Sequence, residues 1–546
     1  MSDLKNLMPL IRFIVVFIVA LSTHFLFKDL PYSMNDDFMM NALYSGAFTG
    51  GKAIHETLFQ HDVFVSLLIY LNNNVSNNTN WFYYIHFLFI WGPIIVYLLK
   101  FVKVSIYKDF LNIEFWLILL VGIWITKLFT FTWISSVVGI LAWLWFWRED
   151  KKTWIDWFWI ISMILIAVIV RPQSFILMAL MACIIKLPDL FTFVKMPSKF
   201  DTLKLYGKYA IYPFIVVLIF NQIFVKGHIN YADEEKFPVS WVAEESGLKE
   251  LIVNINPKQY DVVDYNVSKR FYFDDRFQGS ELGLNRQTVI YRKLLEKPSS
   301  FIMGQSVRFT KKLFKILLSK EFLLFLITFM VFAQKEKRKE FGIRFALILT
   351  FFIFFYVFTN LHILKERVIV PPILFLILYL IIHNKREDSK MSNMFCLIMI
   401  GITIVYITSS GISSRNHRKK SEYILSNLRK DSLVKRSSAL YLDGDLSFGW
   451  ETYKISRNDV HRVCFSTLPG GWGMRSSTFE YLLKKGGFAN LDDAYKSGEL
   501  AFLSNEKYLT KRWSLYFSKY YKEYEQISRP ITLLGEKAYA VTLVKK

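Results

Sequence analysis

The stretch IEFWLILLVGIWITKLFTFTWISSVVGILAWLWFW, residues 113–147, decides the fold. Only Glu114 and Lys127 in it are ionisable. As a single helix it would run roughly 50 Å, against a bilayer hydrocarbon core of about 30 Å. Two short spans, turning near Lys127, fit that thickness, so the sequence predicts a membrane hairpin. The run 154–187 poses the same problem and breaks at RPQS, where Pro172 disfavours a continuous helix.

Working outward in both directions, the apolar runs predict spans at 9–27, 81–100, 113–126, 131–147, 154–170, 173–187, 209–225, 316–333, 344–359, 368–383 and 393–409. With 53% hydrophobic residues and 51 Phe, a soluble fold of this size could not bury its apolar surface. The fold class expected is mainly α: a polytopic helical membrane protein of about 11 spans with a small outward α/β domain at the carboxyl end. The first run lacks a small-residue cleavage site, so it is expected to be a retained helix and not a signal peptide. Cys183, Cys396 and Cys464 are far apart in sequence, so neither a metal-binding spacing nor a structural disulfide is expected.

Charge orients this layout. Lys100, Lys103 and Lys108, then REDKK at 148–152, KMPSK at 195–199, QKEKRKE at 334–340 and NKRED at 384–388 all fall on one side under eleven spans. That basic side is expected to be the cytoplasm. The amino terminus is then inside, and the carboxyl-terminal domain is extracytoplasmic. The formal net charge of +22 is thereby read as loop bias, and no nucleic-acid partner is expected. The membrane part is placed at 1–409, with outer loops at 28–80 and 226–315, and the outward domain at 410–546. In that domain SALYLDG predicts a strand, SSTFEYLLKKGG a helix ending at glycine, and KAYAVTLV a final strand. It carries 24 Lys/Arg against 14 Asp/Glu, an excess that suits an anionic wall polymer or lipid headgroups. LPGGWGMRSS at 468–477 lacks the pattern of a phosphate loop and is expected to be a tight turn.

The chemistry-bearing residues gather on the expected outer side. Asp36 and Asp37 follow the first span in NDDFMMNALYSGAFTG. Lys127 and Arg171 sit at outer helix ends, and HILKERVIVPP supplies Lys365, Glu366 and Arg367 before the tenth span. Fixed cations at headgroup level suit a lipid-borne phosphate, which Arg holds with paired hydrogen bonds and Lys as a point charge. A neighbouring carboxylate can take a proton from an incoming hydroxyl. The plainer alternatives are that the acidic pair caps an interfacial helix and that the cations anchor to headgroups. His55 and His61, six apart, share no helical face, and a surface role is expected for His61.

On Asn35 to Gly50, His55 and the Lys365–Arg367 cluster, the chain resembles the GT-C superfamily of membrane glycosyltransferases. The likeness is to bacterial members using polyprenyl-phosphate sugars, including the glycosyltransferase of three-component Gtr-type cell-envelope systems. The resemblance implies a GT-C-like fold and an enzyme of the cell membrane that transfers a sugar with inversion. Donor and acceptor would be a polyprenyl-phosphate sugar and a cell-envelope glycopolymer or glycolipid. Asp36 or Asp37 then becomes the catalytic base, Asp36 preferred. Arg367 and Lys365 become phosphate ligands, and His55 contacts acceptor or donor. Lys127 and Arg171 match no family motif and rest on the topology. The partners implied are membrane lipids, a flippase and a polyprenyl-phosphate sugar synthase. No cofactor is firmly expected; a divalent cation could bridge Asp and phosphate, although one acidic pair supplies too few ligands to assign a metal site. Two other functions share these features: a polymerase of lipid-linked repeat units, and a flippase of lipid-linked sugars. A flippase calls for midplane charge and paired halves, which the sequence does not display.

Overall fold

The computed structural model describes residues 2–28, 30, 35–46, 60–101, 113–148, 152–193, 335–359, 366–382, 390–442, 466–469, 477–505, 509, 513–533 and 536–546, with isolated positions between 307 and 326. The described chain is mostly helical, with one small sheet. The helices of its apolar part are α1 (Ser2–Phe27), α2 (Asn35–Tyr44), α3 (Asp62–Tyr70, extended by a π-turn at Leu71–Val75), α4 (Trp81–Phe101), α5 (Ile113–Leu128) and α6 (Phe131–Arg148). After these come α7 (Trp154–Val170), α8 (Pro172–Phe193), α9 (Lys335–Thr359), α10 (Glu366–Ile382) and α11 (Lys390–Lys430).

Residues 113–147 fold as the hairpin their length requires, with Phe129 and Thr130 between α5 and α6. Pro172 likewise separates α7 from α8, at a position where its missing N–H costs nothing. Among the described residues four helices are long and apolar enough to cross a membrane: Leu10–Phe27, Trp81–Phe101, Phe131–Arg148 and Pro172–Asp189. Val63–Val75, Trp154–Val170 and Arg367–Ile382 are shorter apolar helices. The expected spans 209–225 and most of 316–333 lie outside the described residues, as do the loop 226–315 and LPGGWGMRSS between Pro469 and Ser477.

Helix α6 is the axis of the bundle. It is apolar all round and buried along its length from Phe131 to Trp147, as such a helix must be. Helices α4, α5, α7, α8 and α10 pack around it. Its few polar groups are bonded locally: Ser136 Oγ donates to the Thr132 carbonyl at 2.8 Å, and Ser135 Oγ donates across to the Ala167 carbonyl at 2.7 Å. The periphery is apolar too. Phe13, Phe17, Leu21 and Phe25, spaced four apart on α1, are exposed, as are Trp154, Trp157, Phe158 and Ile161 on α7. Contiguous apolar faces of this extent are penalised in water and suit a lipid surround.

Several helices exceed their predicted bounds, α1 and α8 by about two turns and α9 and α11 by more. The stretch KEKRKE, expected as loop, is the first turn and a half of α9, because Lys, Glu and Arg are good helix formers. Helix α11 runs through residue 409 without a break, so the membrane part and the following domain share one continuous helix. Its extension contains no proline and gains an i,i+4 pair, Arg418–Glu422 at 2.9 Å.

That domain continues with α12 (Ser432–Arg436), β1 (Ala439–Leu442), β2 (Ser466–Pro469), α13 (Ser477–Lys485), α14 (Leu491–Ser497), β3 (Leu500–Asn505), α15 (Ser514–Tyr520), β4 (Tyr524–Leu533) and β5 (Glu536–Lys545). The sheet order is β2-β1-β3-β5-β4, with β1 parallel to both neighbours and β5 antiparallel to β3 and β4. The three elements expected from SALYLDG, SSTFEYLLKKGG and KAYAVTLV appear as β1, α13 and β5. Helix α13 stops as expected, since Gly487 adopts φ +89°, a conformation that glycine enters without strain. A stack of Tyr441, Phe502, Trp513 and Phe517 fills the space between sheet and helix. Edge strand β4 is protected by Pro530, which offers no donor for a further strand.

Candidate functional site

Side-chain contacts sort the bundle into two polar ends. At one, Lys100 pairs with Asp156 at 2.8 Å, and Asp156 also caps α7 through Thr153. Arg148 pairs with Glu114, which accepts from Tyr97 at 3.3 Å. On the same end Asp189 joins Lys186 at 3.2 Å and Arg344 at 2.5 Å, with Tyr379 donating to Asp189 at 3.2 Å. Lys186 Nζ also lies 4.4 Å from the Tyr379 ring centroid. These ionisable groups had been assigned to loops or left inside apolar runs. Most occupy helix ends, where packing against another helix brings the opposite charge, while Arg344 reaches Asp189 from the third turn of α9. They tie α4 to α7, α5 to α6, and α8 to α9 and α10.

The opposite end holds most of the predicted site. Helix α2 carries Asp36 and Asp37 in its first turn and packs on α3 and α4. It is fixed from below: the Asn72 Nδ2 donates to the Tyr44 carbonyl at 2.9 Å and to the Leu68 carbonyl at 3.0 Å. Gly46 at φ +76° lets the helix end immediately afterwards. Helix α3 is anchored in turn by its first residues. His61 is its N-cap, accepting from Val63 N–H at 3.2 Å, and its own N–H donates to the Ile169 carbonyl at 3.0 Å. The surface role expected for His61 is therefore corrected: the imidazole is buried, because capping α3 places it between α3 and the end of α7.

Two predicted cations flank the α5–α6 turn, one on the helix before it and one bound to the helix after it. Lys127 lies on the last turn of α5, its ammonium 4.3 Å from the Tyr406 ring centroid on α11. Arg171, just past α7, donates from Nη1 to Thr132 Oγ1 at 2.8 Å, with its guanidinium 4.8 Å from the Phe131 ring centroid. Its carbonyl accepts from Ser135 Oγ at 2.9 Å. Arg367 is buried in the first turn of α10. It therefore lies at the end of that helix opposite Tyr379, and so at the Arg171 end of the bundle. His55 and Lys365 lie outside the described residues.

Sequence reasoning missed a buried polar group at the same end. His86, on α4, donates from Nδ1 to the Phe82 carbonyl at 2.7 Å, which leaves Nε2 to accept from Gln60 Nε2 at 3.4 Å. Rings of Phe64, Phe82 and Phe129 enclose this imidazole. A histidine inside an apolar span was the available signal. Phe129 itself sits at φ +42°, in the left-handed region, with its ring stacked on Tyr83 at 4.7 Å.

Chemically, this end offers cations held by aromatic and hydroxyl neighbours beside a helix whose first turn carries two carboxylates. Among the described residues no group of three or more His, Cys, Asp or Glu is arranged to hold a metal ion. Comparison with protein families, with curated proteins and with solved structures finds no match to this chain.

Proposed function

We propose that this protein is a membrane glycosyltransferase of GT-C-like architecture that transfers a sugar from a polyprenyl phosphate to a cell-envelope glycan or glycolipid. One observation carries the reading: the helix bearing Asp36 and Asp37 packs at the end of the bundle where Lys127, Arg171 and Arg367 also lie. That end is proposed to face outward, with the basic Lys100 end in the cytoplasm and with the undescribed segments completing eleven spans.

In the reaction a carboxylate of the acidic pair takes the proton of an acceptor hydroxyl. The acceptor oxygen bonds to the anomeric carbon as the bond from that carbon to the phosphate oxygen breaks, and its electron pair leaves with the phosphate. One displacement inverts the anomeric centre. Arg171, Arg367 and Lys127 would balance the charge gathering on the departing polyprenyl phosphate. Phosphate leaves readily, so no general acid is required on that side. A flippase and a polyprenyl-phosphate sugar synthase would supply the donor.

The test is the sugar composition of envelope polysaccharides from a strain lacking the gene, complemented with wild type, Asp36→Asn or Asp37→Asn at matched membrane abundance. Loss of one sugar, restored by wild type and by only one or neither of the Asn variants, is the expected result. An unchanged composition in the deletion strain, or full restoration by both variants, overturns the proposal.

A further inference from the structure

We infer that the turn of α11 just beyond its apolar stretch binds the headgroups of anionic phospholipids, through Arg415, Arg418 and Lys419 together with Lys28 at the end of α1.

The observation is an abrupt change of chemistry along one helix. The face of α11 that no other described element covers presents Ile404, Val405 and Ile412, which are 59%, 68% and 63% exposed, with the hydroxyl of exposed Thr408 between them turned back onto the Ile404 carbonyl. Within the next two turns the exposed positions are Ser413, Arg415, Asn416, Arg418 and Lys419, so every ionisable group among them is a cation. A helix surface that passes from aliphatic to cationic so quickly marks the boundary between hydrocarbon and water. Arg418 pairs with Glu422 at 2.9 Å, whereas Arg415 and Lys419 make no ion pair among the described residues.

Lys28 lies at the same level. Gly411 meets Leu26 so closely that a Cβ on the glycine would stand 2.9 Å from Leu26 Cδ2. Arg415 is about 6 Å and Lys28 about 3 Å beyond that contact along their helix axes. Lys28 leans back over the Phe25 ring at 5.7 Å, as a long side chain does at an interface.

The location sets these cations apart from the ordinary loop bias. Loop charge bias collects cations at one end of a membrane bundle, and here that end holds Lys100, Arg148, Lys152 and the Lys335–Lys339 turn. The collar stands at the opposite end, beside Lys127 and the end of α1. Phosphate diesters at headgroup level match it: each guanidinium can hold two phosphate oxygens, and Lys419 adds a point charge. An extended soluble polyanion would need a groove away from the lipid, whereas this patch adjoins the apolar stripe directly.

The inference rests on the apolar helices lying in a membrane and not on the proposed transferase activity. Its test is native mass spectrometry of the full-length protein released from detergent with equal phosphatidylglycerol and phosphatidylcholine. The expected result is preferential retention of phosphatidylglycerol, by at least about fivefold, since each surface cation contributes about that factor. The triple variant Arg415→Gln, Arg418→Gln, Lys419→Gln should lose the preference. A charge-preserving variant, Arg415→Lys with Arg418→Lys, should keep it, which separates headgroup binding from damage to the helix. Substituting Lys522, Lys545 and Lys546 by Gln, on the far domain, should leave it unchanged. Equal retention of the two lipids by wild type overturns the inference, as does an undiminished preference in the Gln variant. Binding of soluble polyphosphate through these residues without a lipid preference also overturns it, in favour of a polymer partner.

Discussion

Arg171 Nη1 and Thr132 Oγ1 lie 2.8 Å apart, so the residue that ends α7 is fastened to the second residue of α6. The same arginine's carbonyl accepts from Ser135 one turn further along α6. Side chain and main chain thus fix this residue to α6 at two points, with the guanidinium itself held by Thr132. Thr132→Val keeps the shape and removes the acceptor. It should lower stability by about 1–2 kcal/mol, because a charged donor loses its partner. Thermal unfolding in detergent measures this; a melting temperature equal to wild type would mean that the contact contributes nothing.

Phe129 offers an inverted order of substitutions. Its left-handed backbone, at φ +42°, costs a residue with a Cβ about 1–2 kcal/mol, while its ring packs on Tyr83. Phe129→Ala keeps the backbone cost and loses the ring. Phe129→Gly loses the ring but relieves the backbone. Glycine should therefore be the more stable variant by about 1 kcal/mol, although it is the smaller residue. Comparing the two unfolding curves checks it, and alanine equal to or above glycine would refute the strain.

The cluster around Asp189 should respond as a unit. Asp189 sits between Lys186 and Arg344, whose side chains are 7% and 5% exposed. Asp189→Asn leaves two largely buried cations without their counter-charge and should cost about 3 kcal/mol. Adding Arg344→Met in that background should recover at least about 1 kcal/mol, because contacting residues do not behave additively. A double-mutant cycle on SDS-induced unfolding gives the coupling; strictly additive losses would show that the charges do not interact.

Gly411 sets the approach of α1 to α11. Gly411→Val would press a branched side chain into Leu26 and should cost about 1–3 kcal/mol. Pairing it with Leu26→Ala makes room and should restore part of the loss. If Leu26→Ala does not help, the contact is not what resists valine.

Much of this was legible in the sequence, and the reasons differ by element. The hairpin at 113–147 followed from arithmetic: its apolar length is too great for one crossing, and Lys127 marks where it can turn. Strand β1 and the glycine stop of α13 followed from local chemistry. The continuity of α11 was not legible, because the drop in hydropathy after residue 409 looks like a boundary while helix propensity ignores hydropathy. Nor were the ion pairs of the Lys100 end, since Asp189 and Arg344 are far apart in sequence and meet only once the helices pack. Of the candidate site, the positions of Lys127 and Arg171 at helix ends were legible from the lengths of the apolar runs. The partners that hold each of them, Tyr406 and Thr132, carry no sequence signal.

The unbroken α11 has a geometric consequence. Its 41 residues form a rod of about 60 Å, with one end among the apolar helices and the other beside the sheet domain, where it packs on β4. Such a rod works as both ruler and dial. Each residue added between Ser421 and Lys430 would raise the sheet domain by about 1.5 Å and turn it by about 100°. Seven added residues would return it to nearly the same bearing, about 10 Å higher, whereas two would face it nearly the opposite way. Height and heading of that domain are thus written in the number of residues in one helix, and each can be reset separately by choosing the length of an insertion.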